Sequence, residues 1–164
     1  MNTDPRHSAP PTINGRYLGS LGLFAGLDMG TLDRLAAALP VELVQVGKTI
    51  VEEGELAQEL FVVLSGELEV VKDADGRPVR IAMLGPGDWF GEMTLIDVQP
   101  RSATVRAVAS THVMRMHARH VDELLYRVAP KAYALFVMNI ARELSRRLRV
   151  VDGALAQFRA SVRE

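Results

Sequence analysis

The chain contains no cysteine. That absence removes disulfides, cysteine–metal sites and thiol catalysis together. No apolar run approaches the length needed to span a bilayer, and the N-terminus lacks a basic stretch followed by an apolar one. The expected compartment is cytoplasmic, with no membrane contact. Closely spaced His pairs are also missing: His112, His117 and His120 are near in sequence but form no His-x-His pair. They read as surface or junction residues rather than metal ligands. No serine sits in a nucleophile elbow and no glycine-rich run has the spacing of a Walker loop. The chain therefore offers no catalytic candidate and is not expected to be an enzyme.

Net charge is −1 over 164 residues, but it is unevenly spread. From Arg115 onward there are ten Lys/Arg against five Asp/Glu. Acids interspersed among those bases read as a solvated helix face rather than a nucleic-acid patch. Hydrophobic content of 48% and charged content of 24% are ordinary for a soluble globular domain. The seven methionines are scattered and read as core filler.

Periodicity divides the chain. Residues 1–15 carry prolines and little apolar pattern, and are expected to form a flexible tail. Leu18 to Leu27 reads as an irregular helical lead-in. A helix over 28–39 follows, with Asp28 or Thr31 as N-cap and Pro40 as its end. From Val41 the period becomes two. Strands are expected at 41–46, 48–52, 60–64, 67–71, 79–84, 102–108 and 112–116, separated by glycine-marked turns such as Asp75-Gly76. Leu68 and Val70 are expected to face inward, and Glu67 and Glu69 to face water. The implied fold is mainly β with α: an antiparallel β-roll of the double-stranded jelly-roll type over about 41–117. The N-terminal helical segment and C-terminal helices over 118–149 flank it.

The helix expected over 118–128 places Val121, Leu124, Leu125 and Val128 on one side. Pro130 suits the start of the next helix. There Val137, Ala141, Leu144, Leu148, Val151, Leu155, Phe158 and Val162 alternate spacings of four and three. Such a seam implies a partner helix, and a second copy of the chain is the expected partner. Tyr133, Phe136 and Ile140 would pack the first half on the roll. Gly153 is the weak point, since glycine costs about 1 kcal/mol inside a helix. Residues 150–164 read as an extension of this helix.

The most informative stretch is Gly85 to Val105, GPGDWFGEMTLIDVQPRSATV. It reads as turn, short helix carrying Met93, Leu95 and Ile96, a second turn at Pro100, then a strand beginning at Arg101. A helix start with a glycine backbone presents free N–H groups to an anion, and arginine adds a bidentate fork. A ribose would give the carboxylate of Glu92 hydrogen bonds to accept. Trp89 lies three residues before Glu92 and would report on the segment by fluorescence.

Phe90-Gly91-Glu92, Leu95 and Arg101-Ser102-Ala103-Thr104-Val105 resemble the phosphate-binding cassette of the cyclic nucleotide-binding domain family. The resemblance runs from about Leu18 to Arg149, within an expected domain of 16–149. It implies a ligand site of Gly91, Glu92, Met93, Thr94, Arg101, Ser102 and Ala103. Glu92 would take the ribose 2′-hydroxyl, Arg101 the cyclic phosphate, and Ser102 would add a contact. Thr94 departs mildly from the small apolar residue usual there, leaving its backbone role intact. Arg142, Ser145 and Arg146 are candidates for a lid over the base.

The resemblance implies a receptor for cAMP, or for cGMP, that relays a conformational change to a separate effector protein. Many bacterial relatives carry a helix-turn-helix after the long helix. Too few residues follow Phe158 to supply one, so no direct DNA binding is expected. The alternative is a dimeric adaptor of the same fold that binds no nucleotide. The presence of both Glu92 and Arg101 argues against it.

Overall fold

The computed structural model describes residues 12–162; most of the expected tail lies outside that range. Helix α1 (Gly15–Ser20) starts where the Asn14 side chain accepts the Tyr17 N–H. A 3₁₀ turn (Gly22–Phe24) leads to α2 (Met29–Ala38). Asp28, not Thr31, caps α2, its carboxylate accepting both the N–H and the hydroxyl of Thr31. These hydrogen bonds hold the Asp28 carboxyl below its ordinary pKa.

Eight strands follow: β1 (Val41–Val44), β2 (Thr49–Val51), β3 (Glu59–Ser65), β4 (Leu68–Ala74), β5 (Arg77–Leu84), β6 (Trp89–Phe90), β7 (Thr104–Ala107) and β8 (Thr111–His117). They form two antiparallel four-stranded sheets, ordered β1-β8-β3-β6 and β2-β7-β4-β5. This is the β-roll anticipated from the period-two pattern. Between β4 and β5, Asp75 and Gly76 both take positive φ, 54° and 79°, as a two-residue hairpin turn with the native strand twist requires.

Strand β3 explains why its apolar run is unbroken. Leu60, Val62 and Leu64 face the helices, packing with Leu18, Phe24, Leu35, Phe136 and Ile140. Phe61 and Val63 face the second sheet, with Val51, Leu68, Phe90 and Val105. A strand buried on both faces has no polar side to show. Phe61 stacks on Phe90 at 5.1 Å and Phe24 on Phe136 at 6.1 Å.

After β8, α4 (Ala118–Val121) runs into a π-type turn (Asp122–Tyr126), and α5 (Pro130–Ser161) completes the chain. Pro130 occupies the first turn of α5, and the helix continues through Gly153. At 1.5 Å per residue it is about 48 Å long.

Three expectations need correction. Glu69 is not in water: Arg106 of β7 pairs with its carboxylate and Arg80 of β5 lies 4.0 Å away, leaving it 8% exposed. Cross-strand cations cover an outward position that alternation alone assigns to solvent. Val128 is exposed rather than aligned with Leu125. The π-type turn, closed by Arg127 N–H to the Asp122 carbonyl at 3.0 Å, inserts an extra residue and rotates the helical positions after it. Strand β7 begins at Thr104, not Arg101, because the Arg101 backbone pairs with the loop before β3. Its N–H donates to Glu55 and its carbonyl accepts from Gly54.

Candidate functional site: a cassette closed by the long helix

The segment between β6 and β7 is held by geometry that only certain residues permit. Gly91 has φ of 85°, a conformation glycine adopts without strain. A Cβ there would lie 2.5 Å from both the Glu59 carbonyl oxygen and Arg101 Nη1. Short helix α3 (Met93–Ile96) follows. Of its residues Thr94 is the buried one, while Met93 and Ile96 stand exposed. The Thr94 hydroxyl donates to the Gly91 carbonyl at 2.9 Å, so the threonine closes the turn on itself. Leu95 packs partly against the cluster between the roll and the helices.

Arg101 is 4% exposed. Its Nη1 donates to the Glu59 carbonyl at 2.8 Å, with the Thr94 hydroxyl at 3.3 Å. Its Nε and Nη2 are buried with no hydrogen-bond partner, and so is Glu92 Oε2. A buried unpaired polar atom costs about 1–3 kcal/mol; three on two residues of one segment mark a place built for something else. Burial pulls the Arg101 pKa down, and Glu59, Glu55 and Glu92 oppose that shift.

Glu92 is 2% exposed. Its Oε1 accepts from Arg147 Nη1 at 2.9 Å, and Arg147 Nη2 reaches the Trp89 carbonyl at 2.9 Å. Arg147 Nε donates to Glu143 one turn earlier, at 2.8 Å. Desolvation raises the Glu92 pKa, with the Arg147 charge as the largest opposing influence.

These groups line one cavity of about 540 Å³, within the range of roughly 300–1,000 Å³ usual for small-molecule sites. Gly91, Glu92, Met93, Thr94, Arg101, Ser102 and Ala103 all contribute to its wall. Ile81 and Met83 of β5 and Val150 and Val151 of α5 line it as well.

A model of the cyclic nucleotide-binding domain matches residues 41–127, more than half of the chain. The chain belongs to the cyclic nucleotide-binding domain family. It is 35% identical over 131 residues to the cyclic AMP receptor protein of Thermus thermophilus, covering 79% of this chain and 58% of that protein. The crystal structure of the Thermus thermophilus catabolite activator protein superposes with a TM-score of 0.72 at 33% identity, over 84% of this chain and 62% of that one. The regulatory domain of Toxoplasma gondii PKA, co-crystallised with cAMP, superposes with a TM-score of 0.64 at 30% identity, over 71% of this chain and 45% of that one. The chain thus spans little more than half the length of the Thermus receptor.

Of the three lid candidates from the family resemblance, only Arg146 lies on the cavity wall, where it pairs with Glu143 at 2.6 and 2.8 Å. Arg142 donates to Asn139 and Ser145 accepts from Arg149; neither belongs to the wall. The residue that sequence reasoning missed is Arg147. Glu143, Arg146, Arg147, Val150 and Val151 share the face of α5 turned to the cassette, at the three-and-four spacing of one helical side. Two adjacent arginines cannot be told apart until the rotation of the helix is known. Asn139 sets it. Its Nδ2 donates to the Leu23 and Ala25 carbonyls at 3.1 and 3.0 Å, tying α5 to the N-terminal segment.

Among the described residues, His112, His117 and His120 have local partners. His112 Nδ1 lies 3.0 Å from the Ser65 hydroxyl. His117 and His120 cap the start of α4 reciprocally.

Proposed function

We propose that this protein is a cyclic nucleotide receptor that binds cAMP, or cGMP, and transmits binding through α5 to a partner protein. The observation that carries the reading is the set of unpartnered buried atoms in one cavity. Arg101 has two N–H-bearing nitrogens free and Glu92 has one acceptor oxygen free. A ligand that satisfies both must bring an anion and a hydroxyl donor, which a ribose cyclic phosphate does. Arg101 would fork the phosphate, the Gly91 and Met93 amides would cap it, and Glu92 would accept from the ribose. Ser102 beside the arginine is compatible with either purine. Ile81, Met83, Val150 and Val151 offer the base an apolar surface, with Arg146 at its edge.

The output arises from the same contacts. Arg147 holds one oxygen of Glu92 and a ribose would take the other, so the ligand and α5 would share one carboxylate. Ligand shifts an equilibrium only by binding its two states unequally, and this pair supplies a difference. Residues 16–149 would form the binding domain. Residues 150–164 would extend α5 into a pairing segment; Leu148 just before it and Leu155 and Phe158 within it stand exposed at seam spacing and favour a homodimer.

The test is calorimetric titration with cAMP, cGMP and cyclic di-GMP, with Trp89 emission followed in parallel. Binding of one cyclic mononucleotide is expected. Unchanged heat, emission and melting temperature at millimolar ligand would return the protein to a non-binding adaptor role.

A further inference from the structure

The junction of β8 and α4 is held by two side chains that change charge near neutral pH. A capping box ordinarily joins a serine or threonine at the N-cap to a glutamate or glutamine three residues on. Here histidine stands at both positions. His117 Nδ1 accepts the Arg119 N–H at 3.0 Å, and His120 Nδ1 accepts the His117 N–H at 3.2 Å. The Ala118 N–H between them goes to the Gln58 carbonyl at 2.9 Å.

An imidazole nitrogen accepts a hydrogen bond only while it carries no proton. Both histidines therefore cap in the neutral form, with the proton on Nε2. A second proton on either ring sets a donor against the N–H it had accepted. Burial first, then the charges of Arg119, His117 and Arg115, hold His120 below the ordinary imidazole pKa, with Glu123 opposing. Glu59 of β3 stands opposite His117 in the strand register, but its carboxylate already faces Arg115 and Arg101.

What these caps hold is the base of α5. The stretch they start carries buried Leu125, and partly buried Val121 and Leu124, into the cluster that contains Phe136 and Ile140 of α5. Its backbone runs on into α5: the Ala129 N–H donates to the Leu125 carbonyl at 2.8 Å, and the Tyr133 N–H to the Ala129 carbonyl at 2.9 Å. Tyr126 packs edge-on against Tyr133 at 5.2 Å.

We propose that the His117–His120 capping box is an acid-sensitive switch, whose protonation frees the start of α4 and loosens α5 at its base. A histidine whose pKa is lower folded than unfolded adds stability that is complete above the unfolded value, about 6.5. That stability is lost as pH falls through the folded value. Neither histidine lines the cavity, so the switch stands whether or not the cavity takes a nucleotide.

A double variant, His117→Ser with His120→Glu, rebuilds the box from residues that keep one charge state between pH 7.5 and 5.5. Denaturant melts of the full chain at those two pH values test the switch. The wild-type unfolding constant is expected to rise by roughly tenfold more than that of the variant. His112 and Glu92 are present in both proteins and cancel in the comparison. Equal losses of stability would overturn the inference. Wild-type NMR covers a variant that does not fold. Both Nδ1 atoms should be unprotonated at pH 7.5. As pH falls, the His117 and Arg119 amide signals should move with the ring titration, and Tyr133 N–H protection against hydrogen exchange should drop. A proton on either Nδ1 at pH 7.5, amide signals that stay fixed while the rings titrate, or undiminished Tyr133 protection would each sink the switch.

Discussion

Arg147 on α5 and Glu92 in the cassette are 55 positions apart in sequence and 2.9 Å apart in space. The pair joins the proposed ribose acceptor to the helix that closes the cavity, and it is unequal in burial. Glu92 is almost wholly buried while Arg147 is about one-third exposed. Most of the cost of breaking the pair therefore falls on the carboxylate.

Replacing Arg147 by alanine is expected to lower stability by about 1–2 kcal/mol at neutral pH, a figure discounted for the partial exposure of the arginine. The pH dependence has a definite sign. Glu92 already titrates above its unfolded pKa, so its burial costs stability once the carboxyl ionises and costs least at low pH. Loss of Arg147 raises that pKa further. The gap between variant and wild type should therefore narrow as pH falls through the Glu92 titration. Denaturant melts from pH 7.5 to 4.5 measure it, and a gap constant across that range would contradict the assignment.

Arg101→Lys is expected to lose nearly as much cyclic nucleotide affinity as Arg101→Ala. Lysine keeps the charge but not the planar fork. A charge-assisted hydrogen bond contributes about 1.5–3 kcal/mol, so the loss should be on the order of 10- to 150-fold. Titration calorimetry reads it, with circular dichroism to verify the fold.

Gly91→Ala tests the cassette backbone. The site needs φ of 85° and leaves a Cβ only 2.5 Å from a backbone carbonyl. The substitution should destabilise by about 1–3 kcal/mol and weaken ligand binding with it. Gly76→Ala serves as the comparison, because a Cβ there meets nothing within 4 Å. It should show the strain of positive φ without the collision, and a smaller drop in melting temperature.

The distal half of α5 carries the dimer prediction. Phe158 is 66% exposed and Leu155 47%, so neither supports the β-roll within one chain. Leu155→Glu with Phe158→Glu should shift sedimentation from dimer to monomer at micromolar concentration and leave the unfolding of the roll unchanged. A wild-type monomer under those conditions would refute the pairing.

Much of the fold was legible because local rules and tertiary packing agree. Asp28 caps where capping chemistry requires. Asp75-Gly76 turns where two positive φ values are needed. The doubly buried run Leu60–Leu64 has no polar side because it has no solvent side. Two-residue β6 was not legible, since Trp89 and Phe90 are too short a run to show a period. Glu69 was misjudged because alternation reports direction, not cover. At the cassette, Gly91, Glu92, Thr94 and Arg101 were legible as a cluster because they are close in sequence.

Sequence alone therefore determined the β-roll and the grouping of the cassette residues, which are encoded in periodicity and in a short spacing. The seam of α5 was legible only in part, since Leu144 packs on the core and Val151 lines the cavity. Tertiary structure decided which face of α5 meets the cassette, and with it that Arg147 reaches Glu92 while Arg142 and Ser145 do not reach the cavity wall. Helical rotation depends on distant contacts such as Asn139 with Leu23 and Ala25, and a 3.6-residue period carries no absolute phase. Tertiary structure also decided that Glu59, 42 positions before Arg101, stands beside it. The hydrogen bond from Arg101 Nη1 to the Glu59 carbonyl leaves the Glu59 carboxylate 3.9 Å from the buried guanidinium, and no local pattern records it.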